Sequence, residues 1–171
     1  MRNSLLVIFF FSFFLANGQS KNNSNGNLIG IINKSDFLNG KYRNWFLKNY
    51  NAYTPDPIIV EKIKKKLQNI SIKSFIGTWC HDSKRELPKF YKIMDLVKFD
   101  LEENYEMIGI TIGKKTPDNL QKGYAIKHTP TFIFYRDDKE IGRFVEHSKK
   151  SIEKDILKIL RERNYKHPYQ K

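Results

Sequence analysis

The chain contains one cysteine, Cys80, and the residues around it have types and spacing suited to thiol chemistry. An apolar run ends at Trp79. The stretch Trp79-Cys80-His81-Asp82-Ser83 then leads into a charged, helix-forming sequence that reaches Pro88. A cysteine at a helix start faces backbone N–H groups without intrahelical partners and the positive end of the helix dipole. Both favour thiolate over thiol, and a thiolate attacks disulfides at neutral pH. His81, Lys84 and Arg85 add positive charge close in sequence. Ser83, one turn along, can donate a hydrogen bond to the sulfur, and Trp79 offers a partner a flat apolar platform. The arrangement points to Cys80 as a nucleophile tuned by Ser83 and His81. The plainer alternative for a solitary cysteine is a small buried hydrophobe.

Other chemistries are less well supplied. Cys80, His81 and His128 have the right ligand types for zinc or copper, but there is no second cysteine and no fixed ligand spacing, so neither a metal nor a cofactor is expected. Asp82 and Glu86 read as acids favoured near a helix start. No glycine-rich phosphate loop is present, and no motif supplies the histidine base and oxyanion site of a cysteine hydrolase.

The elements that must position these residues follow from patterning. Asp56 and Pro57 suit a helix cap and first turn, with Ile59, Ile63, Leu67 and Ile70 on one face. Residues 72–79 read as a buried strand. A helix over 82–98 follows, with Leu87, Phe90, Tyr91, Met94 and Val97 on one face and Pro88 inside it. Residues 105–112 form another apolar strand, and 113–128 a polar connection with a short helix around 118–124. Strands over 131–135 and 140–145 flank the turn Arg136-Asp137-Asp138-Lys139. Ser151 caps a last helix with Ile152, Ile156, Leu157 and Leu160 as its buried stripe. This order is a parallel βαβ unit followed by an antiparallel hairpin and a packing helix. It predicts an α/β three-layer sandwich with a mixed central sheet over residues 56–171. Residues 28–55 read as an N-terminal extension of mixed aromatic and polar character, and 19–27 (QSKNNSNGN) as a disordered tether.

Taken together, these residues resemble the thioredoxin-like superfamily. Trp79-Cys80-His81-Asp82-Ser83 stands where that family carries W-C-x-x-C. Pro88, eight residues after Cys80, matches its helix-kinking proline, and Thr129-Pro130-Thr131 before a strand hairpin matches its cis-proline. The wording TWCHDSKRELP also resembles exported members of the Bacteroidetes type. The resemblance covers roughly residues 56–164. It implies that Trp79, Thr129 and Pro130 form the groove that holds a partner, with backbone groups at Thr129 open to an extended segment. Two departures stand out. Ser83 replaces the resolving cysteine, and Ser74 occupies a position where many members keep a buried acid. A peroxidase of related fold would want threonine three residues before the cysteine, where this chain has Gly77.

Residues 1–4 are short and basic, residues 5–15 (LLVIFFFSFFL) are apolar, and Ala16-Asn17-Gly18 supplies small residues for cleavage. This is the layout of a signal peptide cut after Gly18, placing the protein in the periplasm or outside the cell with no membrane span left after cleavage. Removing residues 1–18 takes away Arg2 and no acid, so the formal charge falls from +13 to +12. The lysines are spread along the chain, which favours solubility over nucleic-acid binding. Expected partners are protein or small-molecule thiols and disulfides. The leading expectation is monothiol exchange at Cys80 completed by an external thiol. A redox-inactive binding module on the same fold is the alternative.

Overall fold

The computed structural model describes residues 21–23 and 25–170. The expected signal peptide over 1–18 lies outside the described residues. A six-stranded sheet runs in the order β1-β2-β4-β3-β5-β6, with β1 (Lys21–Asn22), β2 (Leu28–Ile32), β3 (Ile70–Ile76), β4 (Tyr105–Gly109), β5 (Thr131–Arg136) and β6 (Lys139–Val145). β3 and β4 are parallel, with Ser74 opposite Met107. β2 runs antiparallel to β4, β5 to β3, and β6 to β5. The sheet is therefore mixed, as the sequence predicts. Asp137 and Asp138 both take positive φ between β5 and β6, the geometry of a two-residue hairpin turn.

One face of the sheet is covered by helices. α2 (Arg43–Ala52) packs on α4 (His81–Val97), α3 (Pro57–Lys64) on α6 (Ile152–Leu160), and α6 on β6. The short helices α1 (Lys34–Leu38) and α5 (Leu101–Asn104) complete the set. Phe46, Ile63, Leu87, Phe90, Phe132 and Phe144 meet in the main core between helices and sheet. On the opposite face Phe75, Ile108, Ile110 and Ile133 form a smaller cluster under Leu120, Tyr124 and Ile126.

Several local readings change. α3 ends at Lys64 and buries Val60 and Ile63. Ile70, read as part of its apolar face, instead opens β3 after Asn69 takes positive φ. Asp56 does cap α3, accepting from Ile58 N (2.9 Å). β3 stops at Ile76, three residues short of Trp79. No helix forms around 118–124: the Thr116 hydroxyl accepts from Leu120 N (2.8 Å), while Gln121 Oε1 accepts from Thr116 N (3.0 Å), which fixes turns there. Ser151 stands at the N-cap of α6 but makes no capping hydrogen bond, and its Oγ is buried without a partner. Residues 28–53 share the main sheet and core. β2 pairs with β4, and Phe37 and Phe46 are fully buried. The fit is close enough that a Cβ on Gly109 would lie 2.4 Å from the Leu28 carbonyl oxygen.

Candidate active site

The loop between β3 and α4 is four residues long, Gly77-Thr78-Trp79-Cys80, and it turns by a hydrogen bond from Cys80 N to Gly77 O (2.9 Å). Each residue of the loop is tied down. Gly77 lies under the Trp79 indole, where a Cβ would come within 2.6 Å of the ring, so only glycine fits. The Thr78 hydroxyl donates to Asn27 Oδ1 (3.2 Å) and accepts from Leu28 N (3.2 Å). Trp79 Nε1 donates to the Ile110 carbonyl (2.9 Å), and Lys114 Nζ sits 4.8 Å from the indole centroid. The indole is thus fixed beside the cysteine by the loop that follows β4.

Cys80 is the N-cap residue of α4, with extended backbone. Its Sγ donates to the Thr129 carbonyl (3.2 Å) and makes no capping bond to the helix start. The physical reason is that the first-turn N–H groups are donors, while a thiol needs an acceptor for its own proton. A thiolate has no proton to give, so the donors of the helix start become its natural partners. The sequence favoured an accessible thiol; Cys80 is 8% exposed, covered from the Thr129 side. The Thr129-Pro130 peptide is cis. Pro130 O accepts from Glu146 N (2.7 Å), which holds the loop after β6 against the same strand end.

The tuning residues are arranged less simply than expected. Ser83 is fully buried, and its hydroxyl oxygen accepts from Gly77 N (3.2 Å), bracing the loop. His81 is exposed at the first position of α4. Asp82 pairs with Arg85 (2.6 Å), and the buried Glu86 carboxylate takes both Arg85 (2.5 Å) and Lys89 (3.3 Å). His128 does not join Cys80 and His81 in a ligand set. Its ring stacks on Tyr169 at 3.7 Å, and Nδ1 lies 3.8 Å from Glu146. Among the described residues no group of three or more His, Cys, Asp or Glu side chains is placed to hold a metal. Ser74, six residues before Cys80, shares a 2.7 Å hydrogen bond with the Tyr105 hydroxyl. Burial pushes that phenol well up, against the opposing pull of its bonds with Ser74 and Tyr91. A neutral hydroxyl pair therefore occupies the site.

No family model matches this chain. It is 28% identical over 92 residues to a Thioredoxin H-type of Populus jackii and 24% identical over 91 residues to Thioredoxin H9 of Arabidopsis thaliana, each match covering 53% of this chain. The chain spans 60% of the length of these curated relatives. Among solved structures, a Pseudomonas aeruginosa protein of unknown function superposes with a TM-score of 0.55 at 15% identity, over 78% of this chain and 93% of that one. The fold is thioredoxin-like. Within that thioredoxin-like frame, sequence reasoning located the cysteine, its tryptophan and the cis-proline. It missed Thr78 and Glu146, whose roles come from contacts with distant segments and leave no local motif. No helix among the described residues is long and apolar enough to cross a membrane.

Proposed function

We propose that this protein carries out thiol–disulfide exchange through Cys80 alone. The Cys80 thiolate attacks one sulfur of a partner disulfide. A Cys80–sulfur bond forms, the partner's S–S bond breaks, and the other half leaves as a thiolate that takes up a proton. With serine at 83, no second thiol follows within the motif. An external thiol then attacks the partner's sulfur in the mixed disulfide, carries it off in a new disulfide and returns Cys80 as a thiol. The observation that carries this reading is the 3.2 Å contact of Cys80 Sγ with the carbonyl that precedes a cis-proline, at the start of α4. Trp79 and Thr129-Pro130 supply the walls against which a partner lies, and Ser83 and His81 act on the sulfur through the loop and the helix start. Pro88 is structural. The apolar run over residues 5–15 and the small residues to Gly18 support export to the periplasm or beyond, where disulfide partners are available. The TWCHDS wording supports kinship with exported proteins of the Bacteroidetes type.

The low exposure of Cys80 favours a second reading, a redox-inactive binding module on the same fold. Incubation with a disulfide substrate separates the two. Exchange predicts a mixed disulfide at Cys80 that accumulates until an external thiol is added, is absent in Cys80→Ser, and is released faster in Ser83→Cys. A wild-type protein that forms no adduct with any disulfide, while Cys80 stays unmodified by thiol reagents in the folded state, rejects exchange in favour of the binding module.

A further inference from the structure

The wall on the tryptophan side of Cys80 is less apolar than its sequence suggests. After β4, residues 111–115 fold into a tight loop closed on Thr111. The Thr111 amide and hydroxyl both donate to Lys115 O (3.0 and 3.1 Å), and the hydroxyl accepts from Lys115 N (3.1 Å). Lys114 N donates to Thr111 O (2.9 Å), and Lys114 takes a φ of +60°, a conformation glycine adopts more readily. Its side chain comes back over Trp79. Lys114 Nζ donates to Ile112 O (3.0 Å) and stands 4.8 Å from the indole centroid, within cation–π range. Gly77 lies against the same indole, and Ile110 O holds its Nε1. Trp79 is thus a half-buried ring that carries a fixed ammonium group.

That ammonium group has no carboxylate partner. Among the described residues no Asp or Glu forms an ion pair with Lys114. An ammonium group has three N–H donors, and the Ile112 carbonyl takes one of them. At the start of α4 the nearby acid, Asp82, is taken by Arg85 (2.6 Å). On the opposite wall Glu146 N bonds Pro130 O, and its carboxylate lies 3.8 Å from both His128 and His147 Nδ1. The uncompensated charge on the Trp79 wall is therefore positive. Because the loop and the ring already hold it in place, pairing with an incoming carboxylate costs little side-chain entropy.

We propose that Lys114 sets the partner preference of Cys80, selecting disulfides whose reactive sulfur is flanked by aspartate or glutamate. This preference presupposes the exchange reaction proposed above and names its substrate class. Two short peptides test it, each with one cysteine activated as a 2-thiopyridyl disulfide and flanked on both sides by Glu or by Lys. The Cys80 thiolate attacks the peptide sulfur, a Cys80–peptide disulfide forms, and the broken S–S bond releases 2-thiopyridone, read by its absorbance. The Glu peptide should react about fivefold faster than the Lys peptide at low ionic strength, and the preference should fade at about 1 M salt. Both rates share one thiol, so their ratio does not register a change in the reactivity of Cys80 itself. K114E should bring the ratio to one or below, and K114Q should lower it in the same direction if charge reversal disturbs folding. K62E, the same charge change on an exposed lysine of α3, should keep the wild-type ratio. Equal rates for the two peptides in the wild type, or an equal fall in K114E and K62E, overturns the role of Lys114 and leaves exchange standing. No reaction with either peptide overturns exchange itself, and the preference with it.

Discussion

A proline inside a helix withholds the N–H that the carbonyl four residues earlier would accept. In α4 that proline is Pro88 and the carbonyl is Lys84's, one turn beyond Cys80. Asn49, on α2, fills the vacancy: its Nδ2 donates to Lys84 O at 2.9 Å. Asn49→Ala should leave that carbonyl short of a partner and lower stability by about 1–2 kcal/mol in urea unfolding. An unchanged midpoint would show that water serves the carbonyl equally well. Pro88 was legible in the sequence because its spacing from Cys80 is local. Asn49 was not, since its partner lies 35 positions away and asparagine in a polar stretch carries no signal of its own. The same holds for Ser83. Its place in the motif was plain, but its hydroxyl serves Gly77 N, a contact set by how the loop folds.

At the scale of elements, β3, α4, β4, the hairpin and α6 were all readable, because each carries a clean period or a turn signal. Residues 28–53 were not readable in this way. α1, the 3-10 turn at Gly40–Tyr42 and α2 are short, and their apolar residues are chosen for one another and not for a repeating face. Phe37 stacks on Phe46 (5.6 Å), and Phe46 meets Tyr91 of α4 edge-on (5.7 Å). Phe46→Ala should therefore cost about 3–5 kcal/mol, as for a buried core aromatic, measured by chemical denaturation. A loss below about 1 kcal/mol would mean that this segment is a detachable appendage. The connection over 113–128 misled in the other direction. Its composition allows a helix, but side-chain bonds from Thr116 and Gln121 to the backbone outcompete helical ones.

Across the whole molecule, the C-terminal segment over 161–170 runs from the end of α6 back to His128, where Tyr169 stacks on the ring (3.7 Å), and its docking is expected to weaken on acidification. His167 has a pKa held below its ordinary 6.5 by burial, with Arg143, His128 and Lys149 adding to the effect. The undocked chain therefore takes up the proton first. The stability that docking provides is present above about pH 6.5 and is lost as pH falls through the lower value of the docked state. Proton NMR should show the His128 ring leaving the shielding region of Tyr169 on acidification. His167→Gln, which has no proton to gain at this position, should keep the stack to lower pH. A His128 shift that follows the same course in both proteins would mean that His167 does not govern the release.

The two hydrogen bonds at Thr78 also have a mechanical meaning. Asn27 and Leu28 lie where the turn after β1 enters β2, and both hold the hydroxyl of a residue two positions from the sulfur. A pull on the chain ahead of β2 is shared between the β1–β2 pairing and the loop that carries Cys80. The thiol's setting is thus coupled to tension on the chain ahead of it.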